Sequence, residues 1–473
     1  MLLLIKNEWR QLARTKILQL LLVVLFVITA FIIYSNVLAH QQLKTQREIA
    51  AKQMRNEFLA QGETNPHNAA HFGHYVFKPY NFLQVVDNGV DKFTGTTLRL
   101  EAHQQNETVF SASQSSSSLI RFGDFSFALL LQIIFPLLLI FLCHNCITTE
   151  RENGTFKLLI GQGQSIRKII WAKISAYTLV ITAALILLTT AFYLLIQSVF
   201  SANSSNYFTE RLIYMLALYA TYYFIIIAFT VTLSAKFRTA KNVLVTMLGI
   251  WLLCTIIIPK AAANIGDMNF PLVSKIDFEK TISEENKKGI NGHDPSDVRV
   301  KRLQDSLLNQ YKVDSLNKLP INVDGITMQA DETYHNIVYD KYLGQLEKTI
   351  ASQNNISSNA AIINPFLAIR NISMSLAQTD VYHHFNFTSQ AEQYRRMLMK
   401  KLNDEFAYGG AKTGDWDWKV KANYWQGIND FTYLQPTIYW SMNTRKTELL
   451  AIVCWLFIAI AFVTIISNTI KAV

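Results

Sequence analysis

The chain has 473 residues, of which 50% are hydrophobic and only 16% charged, a balance too apolar for an ordinary soluble protein. A formal net charge of +10 would suit a nucleic-acid binder, but the cations cluster beside apolar runs. Membrane topology accounts for that placement, so nucleic acid is set aside as a partner. The four cysteines, Cys143, Cys146, Cys254 and Cys454, all fall inside apolar segments, which excludes a disulfide framework in the polar loops.

Residues 1–16 are too polar for a signal sequence, and the apolar run after them is too long to be its core. Leu2, Ile5, Trp9 and Leu12 recur at helical spacing opposite Lys6, Arg10 and Arg14. That pattern predicts a helix lying in the cytoplasmic interface, with a plain extension of the first span as the alternative. Residues 17–38 read as the first span. Residues 39–121 read as an extracytoplasmic loop, whose first part, to about Gln61, continues the helix. His67, His71 and His74 lie within two helical turns, and imidazoles so spaced can hold zinc or copper. No carboxylate or thiol completes the set nearby and Gly73 weakens the helix. The three are therefore read as solvated or hydrogen-bonded, weak metal candidates only, with no metal assigned. Residues 115–118, all Ser, form a polar joint.

The second span, residues 122–147, carries Gln132 and a kinking Pro136. Its end holds Cys143-His144-Asn145-Cys146, a single CxxC that without a second pair reads as packing. Residues 166–200 form the third span, 201–209 a short outer turn and 212–235 the fourth span. Gln132 with Tyr219, Tyr222 and Tyr223 are candidates for a lateral path for a greasy substrate, against the plainer role of helix packing. Lys236, Arg238 and Lys241 mark a second cytoplasmic turn. The fifth span covers 242–260, ended by Pro259 and Lys260. Residues 264–445 form a large, mainly helical extracytoplasmic domain, with helical periodicity near 296–317, 327–352, 365–378 and 389–406. Asp294-Pro295 and Asn364-Pro365 read as N-cap followed by the first helical residue. The aromatic stretch 409–433 reads as a loop returning toward the membrane, and 447–468 as the sixth span. The fold class expected is an all-α membrane protein of six transmembrane helices per subunit, with both termini cytoplasmic.

Between the second and third spans lies TTERENGTFKLLIGQGQSIRKIIWAK, residues 148–173. Five cations, Arg151, Lys157, Arg167, Lys168 and Lys173, place it in the cytoplasm. Thr149 with Glu152 predicts a capping box, and Ser165 with Lys168 the start of the next helix. Phe156, Leu158, Leu159 and Ile160 would form an apolar knob. Taken alone, the segment is equally well a solvated, positive-inside loop.

Glu150-Arg151-Glu152-x-Gly154-Thr155-Phe156-Lys157-Leu158-Leu159, followed by Ser165-x-Arg167-x-Ile169 and Lys173, resembles the signature of ABC-2 type permeases, the membrane subunits of type-2 ABC exporters. Phe77-Lys78-Pro79, Asp87-x-Gly89-Val90-Asp91 and Leu100-Glu101-Ala102-His103 resemble the first outer loop of a subgroup with a large extracytoplasmic insertion of unknown function. Phe431-x-Tyr433-x-x-Pro436 resembles that subgroup more weakly. Many members of the wider family carry Pro where this chain has Gly163, which predicts a looser turn here. The resemblance implies that 148–165 is a cytoplasmic coupling helix seated in a separate ABC ATPase dimer that binds ATP and Mg. It also implies a second permease, identical or paralogous; a large outer domain without cysteines suits a bacterial inner membrane facing a periplasm. Phe156, Leu158 and Leu159 would make the apolar contact, Glu150, Arg151, Glu152 and Lys157 would set polar register, Gly154 would allow close approach, and Thr155 completes the coupling set.

No charged residue falls at mid-depth in a span, against an ion-driven transporter. No phosphate-binding loop is present, since Gly409-Gly410-Ala411-Lys412-Thr413 lacks the leading spacing. The chain is thus expected to have no catalytic residue, to be no enzyme by itself and to bind no cofactor. Two other functions stay open: a non-transporting mechanotransmission subunit moving its outer domain against a periplasmic partner, and a metal-site maturation permease. The latter is a distant relative by fold within the same resemblance.

Overall fold

The computed structural model describes residues 1–14, 16–108, 126–199, 208–290 and 292–470. The polar joint at 115–118 and most of the turn at 201–209 lie outside the described residues. Among those described, six helices are long and apolar enough to cross a membrane: Phe26–Leu59, Phe127–Glu152, Ile166–Val199, Phe208–Lys236, Ala240–Asn269 and Lys446–Thr469. Each overlaps one of the six apolar runs, although the first covers Phe26–Leu59 and the fifth Ala240–Asn269, where the sequence predicts 17–38 and 242–260.

Helix α1 (Leu2–Arg14) precedes α2 (Lys16–Leu59), a single helix of 44 residues that carries the first span and its predicted extension without a break. After α3 (Pro66–Phe72) come three antiparallel strands in the order β1 (His74–Phe77), β2 (Thr97–Glu101), β3 (Gln104–Gln105). This small sheet corrects the all-α expectation. Its signal is the period-2 alternation of Thr97-Leu98-Arg99-Leu100-Glu101, which buries Leu98 and Leu100 on one face.

The second span is assembled from Phe127–Leu129, a π-helical turn over Leu130–Ile134, and α4 (Phe135–Cys143). Two short helices, α5 (Thr148–Glu152) and α6 (Thr155–Gly161), lead into α7 (Ile166–Val199) and α8 (Phe208–Lys236). The fifth span repeats the build of the second: α9 (Ala240–Leu252), a π turn over Leu253–Ile257, then α10 (Ile258–Asn269) with Pro259 in its first turn. Proline lacks an N–H, so in π geometry the carbonyl five residues earlier loses its donor. In both spans a side chain from elsewhere supplies one. Tyr223 Oη donates to the Leu131 carbonyl at 2.8 Å, five before Pro136, and Asn364 Nδ2 donates to the Cys254 carbonyl at 2.8 Å, five before Pro259.

Beyond α10 follow α11 (Lys275–Lys288), α12 (Ser296–Tyr311), α13 (Val323–Ala360), α14 (Pro365–Leu376) and α15 (Val381–Tyr408). A long loop then leads to α16 (Ile438–Asn443) and the last span, α17 (Lys446–Thr469). Asn364 caps α14 as predicted, accepting from the Phe366 N–H at 3.1 Å. Pro295, expected at the first helical position, is instead the N-cap of α12, and the Asp294 carbonyl accepts from Arg299 Nη1 at 2.6 Å.

The two largest of the hydrophobic cores organise the molecule. The larger centres on α8, which packs against α4, α7, α14 and α17. Phe366, Leu367, Ile369, Ile372 and Leu376 of α14 belong to this same core, so the 264–445 segment is interlocked with the spans. The smaller core joins Phe58 near the end of α2, Leu98 and Leu100 of the sheet, Phe387 and Leu402 of α15, and Trp425. Trp425 is fully buried and donates to the Gly62 carbonyl at 2.7 Å. Trp418, Tyr424, Phe431 and Tyr433 of the aromatic stretch 409–433 pack against the same core, that of a second lobe, while Trp416 stays exposed.

Candidate functional site

The stretch between the second and third spans forms a ledge of two helices hinged at Gly154. Gly154 has φ 77 and an added Cβ would meet nothing of this chain within 4 Å, so within the chain glycine serves the left-handed turn. The predicted capping box does not form. The Thr149 N–H already donates to the Asn145 carbonyl at 3.0 Å, because the chain enters α5 from a preceding turn. The donors at the start of α5 are served from α8 instead, where Ser234 Oγ accepts from the Ile147 and Thr148 N–H groups at 3.1 and 3.3 Å. Ser165 caps α7 as predicted, accepting from the Lys168 N–H at 3.3 Å.

Arg151 returns the grip. Its Nη1 and Nη2 donate to the carbonyls of Phe237 and Ala235 at 2.8 and 2.7 Å, closing the exposed end of α8, where a cation also suits the helix dipole. The same guanidinium lies 5.4 Å from the centre of the Phe156 ring. Phe156 is buried in the main core. Lys173, itself buried, reaches Glu8 Oε1 at 2.7 Å and Glu150 Oε1 at 2.8 Å, which ties α1 and α5 to α7. Three of the residues expected to face a partner, Glu150, Arg151 and Phe156, thus point inward. Leu159 is half-buried against the main core. Leu158 is 66% exposed, and Glu152, Thr155 and Lys157 are exposed beside it. α1 packs on α7, with Glu8 paired to Lys173 and Leu12 against the main core, while Leu2, Leu3 and Trp9 are exposed.

At the opposite ends of the same spans, a buried polar network joins them to the lobe. Asp380 caps α15 and accepts from Arg445 Nη2 at 2.6 Å, while Arg445 Nη1 reaches Glu448 Oε1 at 3.3 Å. Glu448 Oε1 also accepts from Ser358 Oγ at 2.7 Å and Asn371 Nδ2 at 3.1 Å. Burial alone would push the Asp380 carboxyl up, but His383 and Arg445 outweigh it and hold it well below the usual carboxylate range. Arg211 Nη2 donates to the Pro436 carbonyl at 2.8 Å and to Ser441 Oγ at 3.1 Å. His383 connects Asp380 Oδ1 (2.5 Å) to Ser441 Oγ (3.0 Å). That order has the look of a hydrolase triad, yet all three residues are fully buried and Arg211 already occupies the serine oxygen. It is a lock between elements, with no room for a substrate.

The motifs of the segment between α2 and the second span complete this lock. Lys78 Nζ donates to Asp91 Oδ1 at 2.7 Å and to the Gln378 carbonyl at 2.9 Å. The Val90 N–H donates to the Thr379 carbonyl at 2.8 Å. Gly89 has φ 48, and a Cβ there would meet the Thr379 carbonyl oxygen at 2.4 Å, so at this turn both backbone freedom and close approach require glycine. Asp87 Oδ2 accepts from Ser373 Oγ at 2.7 Å, and Ser373 Oγ contacts Tyr219 Oη at 2.9 Å. Gln132 Nε2 donates to Tyr219 Oη at 3.0 Å. Burial pushes the Asp87 carboxyl up, against its hydrogen bonds from Ser373 and Gly89.

Of the four candidate path residues, Gln132 and Tyr219 are therefore part of this network. Tyr223 serves the Leu131 carbonyl, and Tyr222 is buried in the main core. Tyr219 also edges a narrow apolar crevice with Phe127, Leu185, Phe192 and Met215. Of the three candidate histidines, His67 and His71 come together, with Nε2 atoms 3.2 Å apart. His74 turns away onto the Phe58 ring, 4.3 Å between centroids. Its place is taken by His103, which sequence spacing could not reveal because a β-turn brings it back. Burial, with His71 and His103 nearby, pushes His67 down to about 4.

Two family models match parts of the chain: a domain of unknown function (DUF3526) over residues 275–434 and a protein family of unknown function (DUF2705) over residues 101–280. No curated protein and no solved structure matches.

Proposed function

We propose that the chain is the membrane-spanning subunit of an ATP-driven ABC-2 type exporter. It would work as one of a pair of permeases, identical or paralogous, on a separate cytoplasmic ATPase dimer that binds ATP and Mg. The observation that carries this reading is the ledge: Leu158 is 66% exposed while its neighbours are bolted to three helices. A load on Leu158 would pass the Gly154 turn by way of Phe156 and the Arg151 guanidinium against its ring, and so reach α8 through Arg151, and α7 and α1 through Glu150 and Lys173. Leu158, Glu152, Thr155 and Lys157 form the contact face in this reading. Phe156, Arg151 and Glu150 anchor it from behind. In this reading the ledge, whose cations favour the cytoplasmic side, lies inside a bacterial cell with both termini, and the lobe lies outside its inner membrane. Closure of the ATPase pair would then favour one arrangement of the spans over another by differential contact with the ledge.

A second reading has its own support. Because α14 shares the core of the spans and α2 runs into the lobe unbroken, any rearrangement of the spans moves the lobe. A subunit that performs mechanical work on a periplasmic partner, moving no substrate, would use the same parts.

The test is Leu158→Asp. The residue is exposed, so the variant is expected to insert and fold, but to lose both co-purification with the ATPase and stimulation of its hydrolysis. If binding and stimulation both persist, the ledge is not the socket.

A further inference from the structure

The lobe contains a convergence of imidazoles that the transport reading does not use. α3 carries His67 and His71 one turn apart, with Asn65 fixing its start by accepting from the His67 N–H at 2.8 Å. The turn between β2 and β3 brings in His103, held against α3 by the Ala102 N–H donating to the Ala70 carbonyl at 3.2 Å. One ring nitrogen from each of the three histidines lies within 4.8 Å of the others.

We infer that His67, His71 and His103 form a binding site for a divalent transition-metal ion, with zinc the best match, and that Glu332 of α13 orients His103 within it. Three observations support the site. Nitrogen ligands at ~2.0–2.1 Å around a tetrahedral zinc stand roughly 3.3 Å apart, and the His67–His71 pair already stands at 3.2 Å. His103 Nδ1 lies 3.2 Å from Glu332 Oε1, which leaves Nε2 for a metal in the carboxylate–histidine arrangement that fixes ligand tautomer. Glu332 is itself buried and held by Arg395 Nη1 at 2.9 Å, so it cannot swing away. His103 is the second residue of the two-residue turn between β2 and β3 and adopts φ 64 there, the left-handed conformation such a turn calls for. His71 is exposed, so the fourth position would open to water or an outside ligand, and its ring is free to close the remaining gap. Such an ion would clamp α3 and the sheet onto α13.

The experiment uses the full-length protein in detergent, stripped with a chelator and carrying no polyhistidine tag. Titration with ZnCl2 is expected to give about one bound ion per chain, and Co2+ to give the visible absorption of a four- or five-coordinate nitrogen site. His103→Ala and Glu332→Gln should each weaken zinc binding by roughly tenfold or more, and the exposed His293→Ala should not. The cobalt spectrum of the unsubstituted protein needs no variant to fold. Zinc uptake no greater than that of a His67→Ala/His71→Ala/His103→Ala protein, or a cobalt spectrum of the hexa-aquo ion alone, overturns the site.

Discussion

Glu150 and Lys173 meet at 2.8 Å, 23 residues apart in sequence, at the point where the ledge joins the third span. Glu8 of α1 completes the pair from the other side at 2.7 Å. Removing one partner of a buried ion pair leaves uncompensated charge, whereas removing all the charges together is close to neutral. Lys173→Met should therefore cost about 3 kcal/mol, and Lys173→Met/Glu8→Gln/Glu150→Gln should recover most of it. Thermal unfolding in detergent checks this; equal midpoints for the single and triple variants would refute it.

Asp380 gives the junction a pH dependence of known sign. Its carboxyl is held low in the folded protein, so its contribution is fully present above the ordinary carboxylate value of about 4. That contribution is lost as pH falls through the lower, folded value. Arg445→Gln removes one cause of the depression and should move the acid-unfolding midpoint upward by about one pH unit. Tryptophan fluorescence against pH reads it, and an unmoved midpoint contradicts the assignment.

Tyr223→Phe should cost about 1 kcal/mol by leaving the Leu131 carbonyl without a donor. In a Pro136→Ala background the backbone regains an N–H, and the same substitution should cost close to nothing. A cost that is equal in the two backgrounds would show that the tyrosine is not serving the proline break.

Gly163 has φ 82 and its N–H donates to the Ile160 carbonyl at 2.9 Å. A proline at this position could supply neither. Gly163→Ala should cost roughly 1–2 kcal/mol, the left-handed penalty, and Gly163→Pro more. Faster tryptic cleavage at Lys157 and Arg167 in the proline variant is the readout; unchanged cleavage would mean that the turn adapts freely.

The spans were legible in the sequence because a stretch of about 20 apolar residues has few alternatives. The ledge was legible as a feature but not in its facing. An apolar Phe156 beside an apolar Leu158 does not say which one is tucked under Arg151, since that depends on carbonyls of Ala235 and Phe237 far along the chain. The lock beneath the lobe was least legible. Asp87 and Ser373 are 286 residues apart and Lys78 and Gln378 are 300, and no local periodicity reports such pairings. The histidine cluster was half visible: helical spacing found His67 and His71 but offered His74, one residue beyond Gly73, where the chain has already become strand.

The uninterrupted run of α2 has a geometric consequence. Its 44 residues extend ~66 Å at 1.5 Å per residue, about twice a hydrocarbon thickness of ~30 Å. Roughly 36 Å therefore stands clear of the bilayer, ending near Phe58 in the lobe's own core. A rigid rod amplifies angle into travel: a tilt of about 10° about the membrane surface would carry the far tip some ~6 Å, more than the height of a helical turn. Side chains at the lipid boundary need shift only slightly for the sheet and its histidines to sweep a distance that an outside observer could measure with paired spin labels.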